Sequence, residues 1–78
     1  LFTYPVPARD LVYVTANRNG DATIELTGTD GKVHQVQQAT FGGAPVPVET
    51  TGVSDGVFII SVRFDDGETA HQRVVKLE

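Results

Sequence analysis

In the stretch ATIELT, residues 22–27, apolar and polar side chains alternate: Ala22, Ile24 and Leu26 fall on one face, Thr23, Glu25 and Thr27 on the other. A period of two marks a strand with one buried and one solvated side. The run GVFIISVRF, residues 56–64, repeats the pattern with larger side chains. Phe58, Ile60, Val62 and Phe64 form the set expected to face the core, because they include the aromatic rings. Val57, Ile59, Ser61 and Arg63 form the other set, whose apolar beginning suggests a central strand partly covered on both sides. KVHQVQQATF, residues 32–41, alternates poorly after Val36 and reads as a longer, irregular or edge strand.

Turn signals punctuate the chain at short intervals: NRNGD, GTDG, Gly42-Gly43, Thr51-Gly52, SDG and DDG. Gly and Asn supply positive φ in such places, and Asp bonds its own backbone. Between them lie short runs rich in Val, Ile, Thr and Phe, the residues that suit strands. The expected strands cover residues 1–4, 11–16, 22–27, 32–40, 46–50, 57–64 and 69–75. Seven short strands without a helix predict an all-β sandwich.

Length and charge narrow what such a sandwich does. A 78-residue chain makes one domain with a thin core, burying about 60% of the surface its unfolded chain exposes. It contains no cysteine, so neither a disulfide nor a thiolate metal site supports the fold. A net charge of −4 repels nucleic acid and anionic lipid. No apolar run approaches the roughly 20 residues of a membrane-spanning helix. Leu1 is not a methionine, as expected either of a piece of something larger or of a processed mature protein, and Leu77 and Glu78 read as a cloning remnant, leaving residues 1–76 as the domain.

The candidate chemistry is sparse. His34 and His71 are the two histidines, and neither has a carboxylate at ligand spacing, so ordinary strand positions explain them better than metal or catalysis. Asp65-Asp66-Gly67-Glu68 lacks the alternating ligands of a calcium loop and reads as a hairpin turn, as do Asp30-Gly31 and Asp55-Gly56. Gly42-Gly43 precedes no Lys-Ser or Lys-Thr, which excludes a phosphate loop, and Ser54 has no neighbouring base. Phe2, Tyr4, Tyr13, Phe41, Phe58 and Phe64 could form a sugar-stacking platform, but a thin core needs the same rings. The residues therefore predict no catalytic, cofactor or metal site.

Four pieces in order carry a resemblance: Pro-x-Pro in Tyr4-Pro5-Val6-Pro7 ahead of a strand, Asp30-Gly31-Lys32 after a strand, Gly56-Val57-Phe58 opening the longest apolar strand, and Arg73-Val74-Val75-Lys76 at the end. Over nearly its whole length the chain resembles the type A C-terminal sorting domain of cargo proteins of the type IX secretion system. Val6 stands where many members have Asn, and Arg73 where the last motif often begins with Lys.

The resemblance implies a small Ig-like antiparallel β-sandwich that acts as an address and not as an enzyme. It would direct an N-terminally fused cargo through the periplasm and the type IX translocon to the outer membrane, the cell surface or the medium. Its partners would be the translocon, an outer-membrane shuttle protein and a sortase that often removes the domain; an open edge strand permits a weak homodimer, and no nucleic acid or membrane insertion is implied. Arg73, Val74, Val75 and Lys76 are the expected recognition segment, with Pro5, Pro7, Gly31 and Gly56 shaping the surface and residues 1–10 forming the lead-in. Deleting the last few residues is expected to trap cargo in the periplasm while the domain still folds. An Ig-like accessory or carbohydrate-binding module of a secreted enzyme is the alternative.

Overall fold

The computed structural model describes residues 2–4, 10–50 and 56–76. Seven strands run β1 (Phe2–Tyr4), β2 (Leu11–Thr15), β3 (Gly20–Gly28), β4 (Val33–Phe41), β5 (Val46–Glu49), β6 (Gly56–Phe64) and β7 (Thr69–Lys76). Each falls where the turn spacing and alternation predict it, with ends moved by one or two residues. Pro5 and Pro7, Ser54 and Asp55 lie outside the described residues, as do Leu77 and Glu78.

Two antiparallel sheets face each other, a smaller one ordered β1-β2-β5 and a larger one ordered β4-β3-β6-β7. This is the strand order of an Ig-like sandwich whose fourth strand joins the second sheet instead of the first. β6 is central, between β3 and β7, as its two partly apolar faces predict, and β4 is an edge.

Local chemistry sets the two hairpins of the larger sheet by one rule used twice. After β3, the Gly31 amide donates to the Gly28 carbonyl at 3.0 Å and the Lys32 amide to Asp30 Oδ1 at 3.0 Å. After β6, the Gly67 amide donates to the Phe64 carbonyl at 2.9 Å and the Glu68 amide to Asp66 Oδ1 at 3.0 Å. In both, Asp tethers the turn through its own side chain and Gly takes the positive φ that follows it, 81° at Gly31 and 95° at Gly67.

The core lies between the sheets. Ala22, Ile24 and Leu26 of β3 and Phe58, Ile60, Val62 and Phe64 of β6 are buried against Val12, Val14 and Val48 of the smaller sheet. Both face assignments made from alternation therefore hold. The poor alternation of β4 also has a cause: its inward positions are Gln35, Gln37 and Ala39, all half-buried. Gln37 Nε2 crosses to the Pro47 carbonyl of β5 at 3.1 Å, so an amide does at this edge what an apolar side chain does in the centre. A register shift opposite Leu26 and Thr27 leaves His34 as an extra residue in β4.

Candidate functional site

β7 is the last strand of the larger sheet and, among the described residues, pairs with β6 alone. Its alternation divides the expected recognition segment in two. Val74 and Lys76 face inward with Ala70 and Gln72, whereas Arg73 and Val75 face outward with Thr69 and His71. Val74 is 1% exposed and belongs to the core cluster.

Lys76 is 2% exposed, so it is an interior residue and not a solvated strand end. Its ammonium donates to the carbonyl of Thr50, itself fully buried, at 2.6 Å. The aliphatic stem fills space in the sandwich while the charged head meets a carbonyl dipole, as a buried cation requires. Thr50 in turn donates its amide to the Asp10 carbonyl at 2.8 Å. The end of the lead-in and the end of β7 thus meet at Thr50, the residue that follows β5.

A deletion of the last residues consequently removes a core side chain and this interior hydrogen bond. The expected separation of recognition from folding by such a deletion is corrected on that ground: point changes on the outer face are needed instead.

Outward, Arg73 lies directly across from Ile59, and Val75 across from Val57. Arg73 is exposed and, among the described residues, takes part in no ion pair. Gly56, at the start of β6 opposite Lys76, has φ of 125°, a conformation that favours glycine, and a methyl group there would meet no atom within 4 Å. Its need is conformational. Gly31 sits at the tip of the β3–β4 hairpin, apart from β7. The structure thus brings Gly56 to the C-terminal segment and leaves Gly31 away from it.

Three further groupings join residues apart in the chain, and of these sequence reasoning touched only Tyr4 and Tyr13, as members of a larger aromatic set. Arg18, in the β2–β3 connection, donates to Asp66 Oδ2 at 2.9 Å and Glu68 Oε1 at 3.1 Å, with its guanidinium carbon 4.2 Å from the Phe64 ring centre. The Glu68 backbone amide first, and the Arg18 guanidinium second, hold the Asp66 carboxyl below the usual carboxylate range. The two carboxylates push the Arg18 guanidinium further up.

Ser61 Oγ and His71 Nδ1 stand 2.8 Å apart on the outer face of the larger sheet. Glu25 is across from Ser61 on its other side, so the order along the sheet is acid, serine, histidine. A hydrolytic triad needs the histidine in the middle, between nucleophile and acid. The pair is a cross-strand hydrogen bond. Tyr4 and Tyr13, also cross-strand partners, stack with ring centres 5.6 Å apart on the smaller sheet, while Phe41, Phe58 and Phe64 are committed to the core. Among the described residues there is no group of three or more side chains able to hold a metal ion.

The family model described as a secretion system C-terminal sorting domain matches residues 3–76. No curated protein and no solved structure matches the chain.

Proposed function

The chain belongs to the family of secretion system C-terminal sorting domains, and from that premise we propose the route it serves and the residues that are read. As a member of the family it marks a protein for export toward the cell surface and associates with secretion machinery and an N-terminal cargo. In the proposed route the cargo reaches the periplasm, an outer-membrane shuttle protein and the type IX translocon take it across, and a sortase removes the domain. The domain itself performs no chemistry. The observation that supports this reading is the extent of the match, which runs from Thr3 in β1 to Lys76 at the end of β7. A signal coextensive with a fold is recognised as a folded surface.

Within that surface we assign recognition to the outward half of the terminal segment, Arg73 and Val75. Val74 and Lys76 act by holding β7 to the rest of the sandwich, and Pro5, Pro7, Gly31 and Gly56 shape the chain at its lead-in and turns. The edge of β7, which among the described residues pairs with β6 alone, is also open to strand addition by a receptor, a common mode of recognising extended backbone.

The test is a secreted reporter fused ahead of the domain in a bacterium that carries a type IX secretion system. The expected result is reporter at the surface or in the medium, with the domain lost from the mature product. Retention of an intact, folded fusion in the periplasm would sink the reading.

A further inference from the structure

The solvent face of an antiparallel sheet is ordinarily polar, since alternation sends the apolar residues inward. The outer face of the larger sheet obeys this only in part, and its middle row reads Val36, Glu25, Ser61 and His71. Toward the β6–β7 hairpin it carries Gln38, Thr23, Arg63 and Thr69 in one cross-strand row, with Thr23 Oγ1 bonded to Gln38 Oε1 at 3.2 Å. At the opposite end the rows read Val33, Thr27, Ile59, Arg73 and then Val57, Val75. Val33 is 51% exposed and Val57 38%. Exposed aliphatic side chains grouped on one face mark an interaction site more often than isolated ones do.

We propose that this end of the face, Val33, Ile59, Val57 and Val75 around Arg73, is the docking surface for a protein partner that presents a carboxylate among aliphatic side chains. The inference rests on the sorting function above and names the surface through which the domain is read. Charge selects the occupant. Arg73 is exposed, without an ion-pair partner among the described residues, and has Ile59 directly across from it and Val75 and Val57 on the side away from His71. An aliphatic partner surface covering it must bring an anion, or it buries an uncompensated guanidinium. A carboxylate answers the guanidinium with two parallel hydrogen bonds.

The other occupants fit less well. An anionic lipid surface is recruited by clusters of about four to eight basic residues, whereas this end of the face offers one arginine on a domain of net charge −4. A second copy placed face to face about a two-fold axis through the patch would set Arg73 against Arg73. The face as a whole carries Arg63 and Arg73 against Asp21 and Glu25, both on β3, so the charge at this end of it is that of Arg73 and calls for an acidic group on the partner.

The reporter fusion tests this with four single variants, one of them a control elsewhere on the face, and with thermal melts as the check on folding. Arg73→Glu and Val57→Asp are each expected to reduce the exported reporter about tenfold or more, the size typical of an interface anchor, while thermal melts of the isolated domain stay near that of the parent. Arg73→Lys, which keeps the charge but not the fork, is expected to fall between. Arg63→Glu, on the polar half of the same face, is expected to export normally. Normal export of folded Arg73→Glu and Val57→Asp overturns the inference, as does an equal loss in Arg63→Glu. Should Val57→Asp fail to fold, Arg73→Glu alone decides. Failure of the unchanged fusion to be exported would overturn the sorting reading and the inference with it. Sedimentation distinguishes a self-interface: a micromolar dimer that Arg73→Glu dissociates assigns the patch to a second copy and overturns the proposal.

Discussion

Lys76 Nζ donates to the Thr50 carbonyl across 26 residues of sequence, fastening the last strand of the larger sheet to the end of the outermost strand of the smaller one. The donor is a charge and the acceptor a buried peptide dipole, so the contact is costly to half-remove. Taking away the ammonium leaves a carbonyl facing the interior without that donor; taking away the whole side chain leaves a void as well.

Lys76→Met, which keeps the unbranched stem, is therefore expected to cost about 1–3 kcal/mol, the range for unsatisfying a buried polar group. Lys76→Ala should cost more, and Arg73→Ala, three residues earlier on the outer face, should stay within about 0.5 kcal/mol of the parent. Urea unfolding followed by circular dichroism measures all three. Equal midpoints for Lys76→Met and the parent would show that the contact contributes nothing to the fold.

Phe58 is the largest of the fully buried side chains and lies across from Val74 on β7. Phe58→Ala is expected to cost about 3–5 kcal/mol, against a total stability of roughly 4–12 kcal/mol for a chain of this length. The variant should be substantially unfolded at moderate temperature, which amide exchange or one-dimensional proton spectra would reveal. Val36→Ala, at a position 56% exposed, should melt with the parent; a comparable loss at both positions would contradict the assignment of inner and outer faces.

Gly31 and Gly67 occupy equivalent places in the two Asp-Gly turns, and an added methyl group would meet no atom within 4 Å at either. Any cost of substitution is thus purely one of backbone conformation. Gly31→Ala and Gly67→Ala are each expected to lose about 1–2 kcal/mol, and the Asn variants less, because Asn tolerates positive φ. Thermal melts decide it: Asn variants as unstable as the Ala variants would mean that something other than φ penalises these sites.

Asp66 gives the fold an acid dependence whose sign follows from its lowered pKa. The folded state binds the proton more weakly than the unfolded one, so the contribution is full above the unfolded value of about 3.9 and disappears as pH falls through the folded value. The parent should melt above Asp66→Asn near neutrality, and the gap should close in acid below about pH 4. Because the group is exposed, high salt should also narrow it. A gap that persists unchanged in strong acid would remove Asp66 from the account.

Much of this protein is written locally. The period of two in ATIELT and GVFIISVRF assigned both inner faces, because alternate residues of a strand must point to opposite sides and only one side is dry. Asp30-Gly31 and Asp66-Gly67 placed two hairpins, because the tether and the positive φ are properties of adjacent residues. The order of motifs from Tyr4 to Lys76 was enough for the family. What the sequence could not supply is where polar groups go once the sheets are stacked. Parity along β7 puts Lys76 on the same side as Val74, yet a lysine at a strand end goes inward only if an acceptor awaits it, and Thr50 comes from the other sheet. Arg18 likewise meets Asp66 from 48 residues away. The half-apolar outer face around Arg73 exists only when β4, β3, β6 and β7 lie side by side in register. Turns and alternation are decided by neighbours in the chain; the interior clasp and the docking face are decided by neighbours in space, which the tertiary fold alone selects.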